Sequence, residues 1–260
     1  MSVPGAVLDP ARVAAERIAY PSGEAAIDAY LATPAGAGNG AGIVVVHEAF
    51  GRVEHVEDVC RRLANQGYAA LAPDLYTREG GPDPDDLDDV MAKMFALPDA
   101  QAAADLAAAA AELRRRLGED AKVGVLGFCS GGRQALLAGC ATDAFDAVVD
   151  CWGGFVLDAN GADATTPERP VPVVELVDRL SAPVLVVCGD EDDNATPEML
   201  RTLEAKLREA GKDVTAKVYP GAGHAFFADY RPLYREGPAH ELWADLLAFL
   251  GAELASAAGP

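Results

Sequence analysis

The stretch Val123-Gly124-Val125-Leu126-Gly127-Phe128-Cys129-Ser130-Gly131-Gly132-Arg133 decides how this chain is read. Val123 to Leu126 is a short apolar run, as expected of a buried strand. It leads into Gly127-Phe128-Cys129-Ser130-Gly131, which fits the pattern Gly-x-nucleophile-x-Gly of a sharp strand-to-helix turn. Such a turn strains its central residue, and a Cβ on the flanking positions would crowd it. A helix from Ser130 to about Ala141 would aim its N-terminal amides and positive dipole end at the same point. Cys129 then stands where an anionic sulfur would be stabilised. The plainer reading is a small apolar residue in a glycine-rich turn.

Two further elements lie downstream in the order nucleophile, acid, histidine. Gly189-Asp190-Glu191-Asp192 follows one apolar strand, and Gly221-Ala222-Gly223-His224 follows another. Three such elements in order outweigh a chance five-residue match.

At 260 residues, 50% of them hydrophobic, the chain can bury a sizeable core, and nothing divides it. Residues 1–260 read as one domain, with 1–15 as a loose N-terminal arm. The N-terminus lacks the charged and apolar regions of a signal peptide, and no apolar run approaches the roughly 20 residues that span a bilayer. Five cysteines (Cys60, Cys129, Cys140, Cys151, Cys188) show no metal-binding or redox spacing. They sit mostly in apolar segments, so reduced thiols and a cytoplasmic protein are expected. A formal charge of −20 argues against nucleic acid and anionic membranes as partners. An anionic substrate would need a local positive feature. No phosphate loop appears, and the histidine at Gly51 that H-E-x-x-H requires is missing, so neither cofactor nor metal is expected.

Strand and helix patterns alternate along the chain. Glu16–Tyr20 and Ala26–Ala32 read as an edge hairpin across Pro21-Ser22-Gly23. Ile43–Val46 is a continuous apolar run suited to a central parallel strand, followed by an amphipathic helix from Glu54 to Gln66. Tyr68–Pro73, Ala147–Val149, Val184–Cys188 and Val214–Tyr219 read as strands. Leu97–Leu117, broken near Pro98, Pro197–Ala210 and Leu242–Leu250 read as helices. The acidic run Asp83–Asp89 lacks the glycine and glutamate of a calcium loop and reads as a solvated helix start. Residues 155–172 read as a long surface loop. The alternation predicts a doubly wound, mostly parallel sheet with helices on both faces, whose strand-end loops meet along one edge. Glu48, Arg78, Cys129, Trp152, Asp192 and His224 all fall on such loops.

With these motifs in view, the chain resembles the dienelactone hydrolase family of α/β-hydrolases from about Arg17 to Leu250. The motifs that carry the resemblance are His47-Glu48-Ala49-Phe50-Gly51, Pro73-Asp74-Leu75-Tyr76, Gly127 to Gly132, Gly189 to Asp192, and Tyr219 to Phe226. The resemblance implies an α/β-hydrolase fold, Cys129 as nucleophile, His224 as base and then acid, and Asp192 as the group that orients His224. From the residues alone the acid could be any of Asp190, Glu191, Asp192 or Asp193; the family pattern Gly-x-x-Asp selects Asp192. The oxyanion donors would be the backbone amides of Ser130 and Ala49.

Glu48 precedes that second amide, which would place a carboxylate beside Cys129 and hold the resting sulfur neutral. Its plainer reading is a strand-end cap. The resemblance implies that substrate binding moves Glu48 to accept the thiol proton. It also implies that Arg78 grips a substrate carboxylate. A second family arginine, four residues past the histidine, is Ala228 here, with Arg231 a little further on. Phe50 and Trp152 could line the pocket or belong to the core. The function expected is opening of a dienelactone-type enol lactone, or cleavage of an activated carboxylic ester, through a thioester. A broader carboxylesterase or thioesterase is the alternative. A non-catalytic binding or redox-sensing protein on this fold would need none of Cys129, His224, Asp192 and Glu48.

Overall fold

The computed structural model describes residues 2–157 and 165–255. Its centre is an eight-stranded sheet in the order β1-β2-β4-β3-β5-β6-β7-β8. The strands are β1 Val13–Ser22, β2 Ala25–Pro34, β3 Gly42–Val46, β4 Ala69–Pro73, β5 Val123–Phe128, β6 Ala147–Cys151, β7 Val184–Gly189 and β8 Val214–Tyr219. The β1–β2 hairpin is antiparallel and joins β4 antiparallel. Every pairing from β4 through β3 to β8 is parallel. β3 to β7 are buried throughout, which is why they read as unbroken apolar runs, whereas the outer strands β1 and β8 are only partly buried.

The helices are α1 Glu54–Asn65, α2 Leu87–Ala96, α3 Asp99–Leu117, α4 Ser130–Ala141, α5 Pro197–Glu209 and α6 Glu236–Glu253. Two close approaches show how they cover the sheet. Gly42 of β3 faces Leu113 of α3, while Gly124 of β5 faces Leu250 of α6 and Leu254 just past its end. Gly42 pairs with Val123 and Ile43 with Gly124, so the two glycines point to opposite faces. α3 and α6 therefore pack on opposite sides, and the sheet is wound on both. The acidic run is a helix start: Asp86 caps α2 by accepting from the Asp88 and Asp89 amides.

Three segments depart from the sequence reading. The start of the 1–15 arm expected to be loose, residues 2–5, docks on and just before α6. Ser2 bonds Glu236 and His240, Tyr234 donates to the Ser2 carbonyl, and Gly5 lies against Trp243. α6 begins at Glu236, six residues before the apolar pattern, because Pro238 in a first turn needs no amide partner. Val173–Arg179, after the loop at 155–172, forms a 3-10 segment. Part of that loop, residues 158–164, lies outside the described residues. Among the described residues, no helix is long and apolar enough to cross a membrane.

Candidate active site

The turn between β5 and α4 is built as the glycine pattern demands. Cys129 has φ 54° and ψ −122°, a conformation most side chains avoid. A Cβ at Gly127 would collide with the Gly131 carbonyl, and one at Gly131 with the Val46 and His47 carbonyls. The turn is closed by the Cys129 amide, which donates to the Cys151 carbonyl at 3.0 Å. Cys129 is half-buried, whereas the other four cysteines are buried and free. Burial pushes the Cys140 and Cys188 thiols up to about 12, and Cys60 and Cys151 also go up. Those four are poor nucleophiles on that ground.

His224, on the loop after β8, lines the same cavity as Cys129 and pairs with Asp192. Its Nδ1 donates to Asp192 Oδ2 at 2.9 Å, with Oδ1 at 3.2 Å. Asp192 is in turn fixed by accepting from the Asn194 and Ala195 amides at 2.8 and 2.9 Å. The four acidic residues of this loop thereby separate. Asp190 accepts from the Gly221 and Ala222 amides and ties the histidine loop down, while Glu191 and Asp193 are exposed. Burial disfavours the imidazolium, but Asp192 and the Cys129 sulfur outweigh it and push His224 up to about 10.

The loop after β3 supplies the opposite wall. His47 Nδ1 donates to the Glu48 carbonyl at 2.7 Å, and His47 Nε2 accepts from the Leu75 amide at 3.1 Å. Both nitrogens are committed, which fixes a neutral tautomer, and burial pushes its pKa down accordingly. In a trans peptide the carbonyl and amide point oppositely, so this bond turns the Ala49 N–H away from His47. Tyr76 donates to the Ala49 carbonyl at 3.0 Å and holds the next peptide. Among the described residues, neither the Ala49 nor the Ser130 amide has an acceptor. Glu48 is 5% exposed, and its Oε2 lies 3.8 Å from Arg231 Nη2, beyond hydrogen-bond length.

Cys129, Ser130, His224, Glu48, Ala49 and Phe50 share one cavity of about 330 Å³. Its far wall is apolar and comes from α2, through Val90, Met91 and Met94. Two residues read as substrate-binding lie elsewhere. Arg78 makes a two-pronged ion pair, at 2.5 and 2.8 Å, with Asp105 of α3, a carboxylate with no exposed surface. Its guanidinium is taken up holding that buried charge, not turned to the cavity. Trp152 is core: 2% exposed, it packs against Phe128 and Phe226. The arginines that do line the cavity are Arg133, Arg169 and Arg231. Arg133 had a signal in the sequence, as a charge in the first turn of an otherwise apolar helix. Arg169, in a proline-flanked loop, had none.

Sheet order, helices on both faces and a strained residue at the strand-to-helix turn define an α/β-hydrolase. Within that class the profile of the Dienelactone hydrolase family matches residues 27–254, and the chain belongs to that family. A Methylorubrum extorquens protein named "Putative carboxymethylenebutenolidase" is 40% identical over 89% of this chain and 79% of its own length. A Bradyrhizobium protein named "Probable 2-oxo-3-(5-oxofuran-2-ylidene)propanoate lactonase" is 30% identical, covering 85% of this chain and 88% of that one. Among solved structures, a "Putative Dienelactone Hydrolase" from Klebsiella pneumoniae superposes with a TM-score of 0.84 at 35% identity, over 92% of this chain and 98% of that one.

Two expectations follow. Arg78→Met strands the Asp105 carboxylate; with Arg78 itself 27% exposed, the low end of the cost for breaking a buried pair applies, ~3 kcal/mol. Thermal unfolding should show a fall of roughly 6–10 °C, with KM for neutral esters unchanged. The raised His224 stabilises the fold fully below its ordinary value of 6.5 and ceases to do so as pH rises through about 10. Urea titrations of wild type and His224→Gln should therefore differ most near pH 6 and converge by about pH 10. A difference that grows with pH would contradict the pairing.

Proposed function

We propose that this hydrolase opens a lactone, or cleaves an activated carboxylic ester, through a thioester on Cys129. The observation that carries the reading is the His224–Asp192 pair in the cavity that also holds Cys129, its one strained, half-buried cysteine. When substrate arrives Glu48 takes the thiol proton, and the sulfur, paired with the His224 imidazolium, attacks the carbonyl carbon. The oxygen that gains charge is received by the Ser130 and Ala49 amides, which have no other acceptor and sit at a helix N-terminus and on a peptide clamped by His47. Collapse expels the ring or alcohol oxygen, which takes a proton from the His224 imidazolium. Water, deprotonated by the now neutral His224, then splits the thioester to carboxylic acid and thiolate, and the thiolate recovers its proton from Glu48, so atoms and charge balance.

A lactone is favoured over other esters by the Bradyrhizobium relative, which is named as a lactonase. The cysteine favours good leaving groups such as enolates, because thiolate is itself readily expelled from a tetrahedral adduct with a poorer one. Glu48 fits the part of a carboxylate that holds the resting sulfur neutral and accepts its proton when substrate arrives. Arg231 sits close enough to temper that charge at 3.8 Å.

Cys129→Ala should abolish turnover of p-nitrophenyl acetate with circular dichroism and melting nearly unchanged; retained activity would overturn the mechanism. Glu48→Gln separates two effects. Iodoacetamide labelling of the resting sulfur should speed up near neutral pH while kcat falls. A variant unchanged in both rates would reduce Glu48 to a strand-end cap.

A further inference from the structure

The ionic groups of the cavity are matched in pairs, with one left over. His224 faces Asp192 at 2.9 Å. Arg133 makes a two-pronged bond to Asp99, at 2.6 and 3.0 Å. Arg231 and Glu48 lie 3.8 Å apart. Arg169 is the remainder. It is 1% exposed, donates from Nη2 to the Met94 carbonyl, and lies 5.2 Å from the Phe95 ring centre. Its Nε and Nη1 have no acceptor among the described residues. Burial, and then the charge of Arg133, push its guanidinium down to about 10, with Asp99 shared as the counter-charge.

A buried charge without its own partner is costly, and arginine cannot discharge near neutral pH. On a chain of formal charge −20, carboxylates to pair it were abundant, yet among the described residues none is placed there. Arg133 and Arg169 thus share one carboxylate, Asp99, with hydrogen-bond donors left over on Arg169 alone of the two. That is the arrangement of a site completed by an incoming anion.

We propose that Arg169 is the anion-binding residue of this cavity: a substrate carboxylate accepts from the donors that Arg169 leaves unpaired. The assignment rests on the hydrolase reading above and moves anion recognition from the loop after β4, where Arg78 is engaged by Asp105, to the loop after β6. It also orients the substrate. The carboxylate sits toward the end of α2, beside Met94 and Phe95, with the scissile carbonyl at Cys129.

The test uses an anionic and a neutral ester of one shape, 4-acetoxybenzoate and methyl 4-acetoxybenzoate. For each protein the ratio of the two kcat/KM values is measured. Arg169→Met should lower the anionic-to-neutral ratio roughly ten- to a hundredfold, the effect of one charge-assisted contact. Arg169→Lys should recover part of it, and Arg78→Met should leave the ratio as in wild type. Binding is read separately, by calorimetric titration of Cys129→Ala with 4-hydroxybenzoate. It should be weakened by a similar factor in Cys129→Ala/Arg169→Met. That titration needs no turnover, so it decides the anion site even if neither ester is hydrolysed, an outcome that would instead count against the hydrolase reading.

Stability adds a third readout. Arg169→Met removes an unmatched charge and should melt no lower than wild type, and 4-hydroxybenzoate should raise the melting temperature of wild type more than that of the variant. An unchanged ratio together with unchanged 4-hydroxybenzoate binding overturns the proposal. So does a variant that melts several degrees lower and loses both esters equally, since Arg169 would then be holding structure.

Discussion

The geometry of the site depends on one strained residue. Cys129 is held at positive φ because β5 must turn into α4 within a single peptide, and the backbones on either side come too close for any side chain at Gly127 or Gly131. Strain of this kind persists only where the surroundings over-determine it. Here a bond from the Cys129 amide to β6 and the carbonyls at the end of β3 do so. The same crowding brings the first amides of α4 next to the sulfur. It also places the β3 loop, with Glu48 and Ala49, across the same cavity. The strained cysteine, the helix dipole and the second amide are thus consequences of one tight turn between central, fully buried strands.

Charge placement is the second constraint. The chain is strongly acidic, yet several of its buried ions are matched: Arg78 with Asp105, Arg133 with Asp99, Arg62 with Asp58 and Asp229. These pairs hold α3, α4, α1 and the loop after β8 in place and are not surface decoration. Against that background an unmatched buried arginine at the site is an exception that calls for a partner. Fixed dipoles add to the ionic groups. The His47 tautomer, set by the Glu48 carbonyl and the Leu75 amide, orients a peptide without adding charge to the cavity. Such preorganised groups act on developing charge without reorganising at the moment of reaction.

Much of this was legible in the sequence, for local reasons. Apolar runs named the central strands because both sheet faces are covered, and the spacing Gly-x-Cys-x-Gly named the turn because the steric demand is local. Cys129, Asp192 and His224 could be read as neighbours, since each follows its own strand of one sheet. What failed was what depends on distant partners. Arg78 sits on the expected loop, but its fate was decided by Asp105, 27 residues on and one helix away. Trp152 also follows a strand, yet Phe128 and Phe226 close over it. The N-terminal arm carries no period of its own and is ordered by Glu236, His240 and Trp243 at the far end of the chain. Arg169 lies in a loop without periodicity, and only the fold brings it beside Arg133.

The central claim is a covalent intermediate on Cys129. Acid quenching during steady turnover of an activated ester, followed by peptide mass spectrometry, measures it directly. The account predicts an acyl group on the peptide containing Cys129 that neutral hydroxylamine removes, as a thioester requires. An acyl group on Ser130 instead, or steady turnover in which no quench time captures an adduct on Cys129, would contradict it.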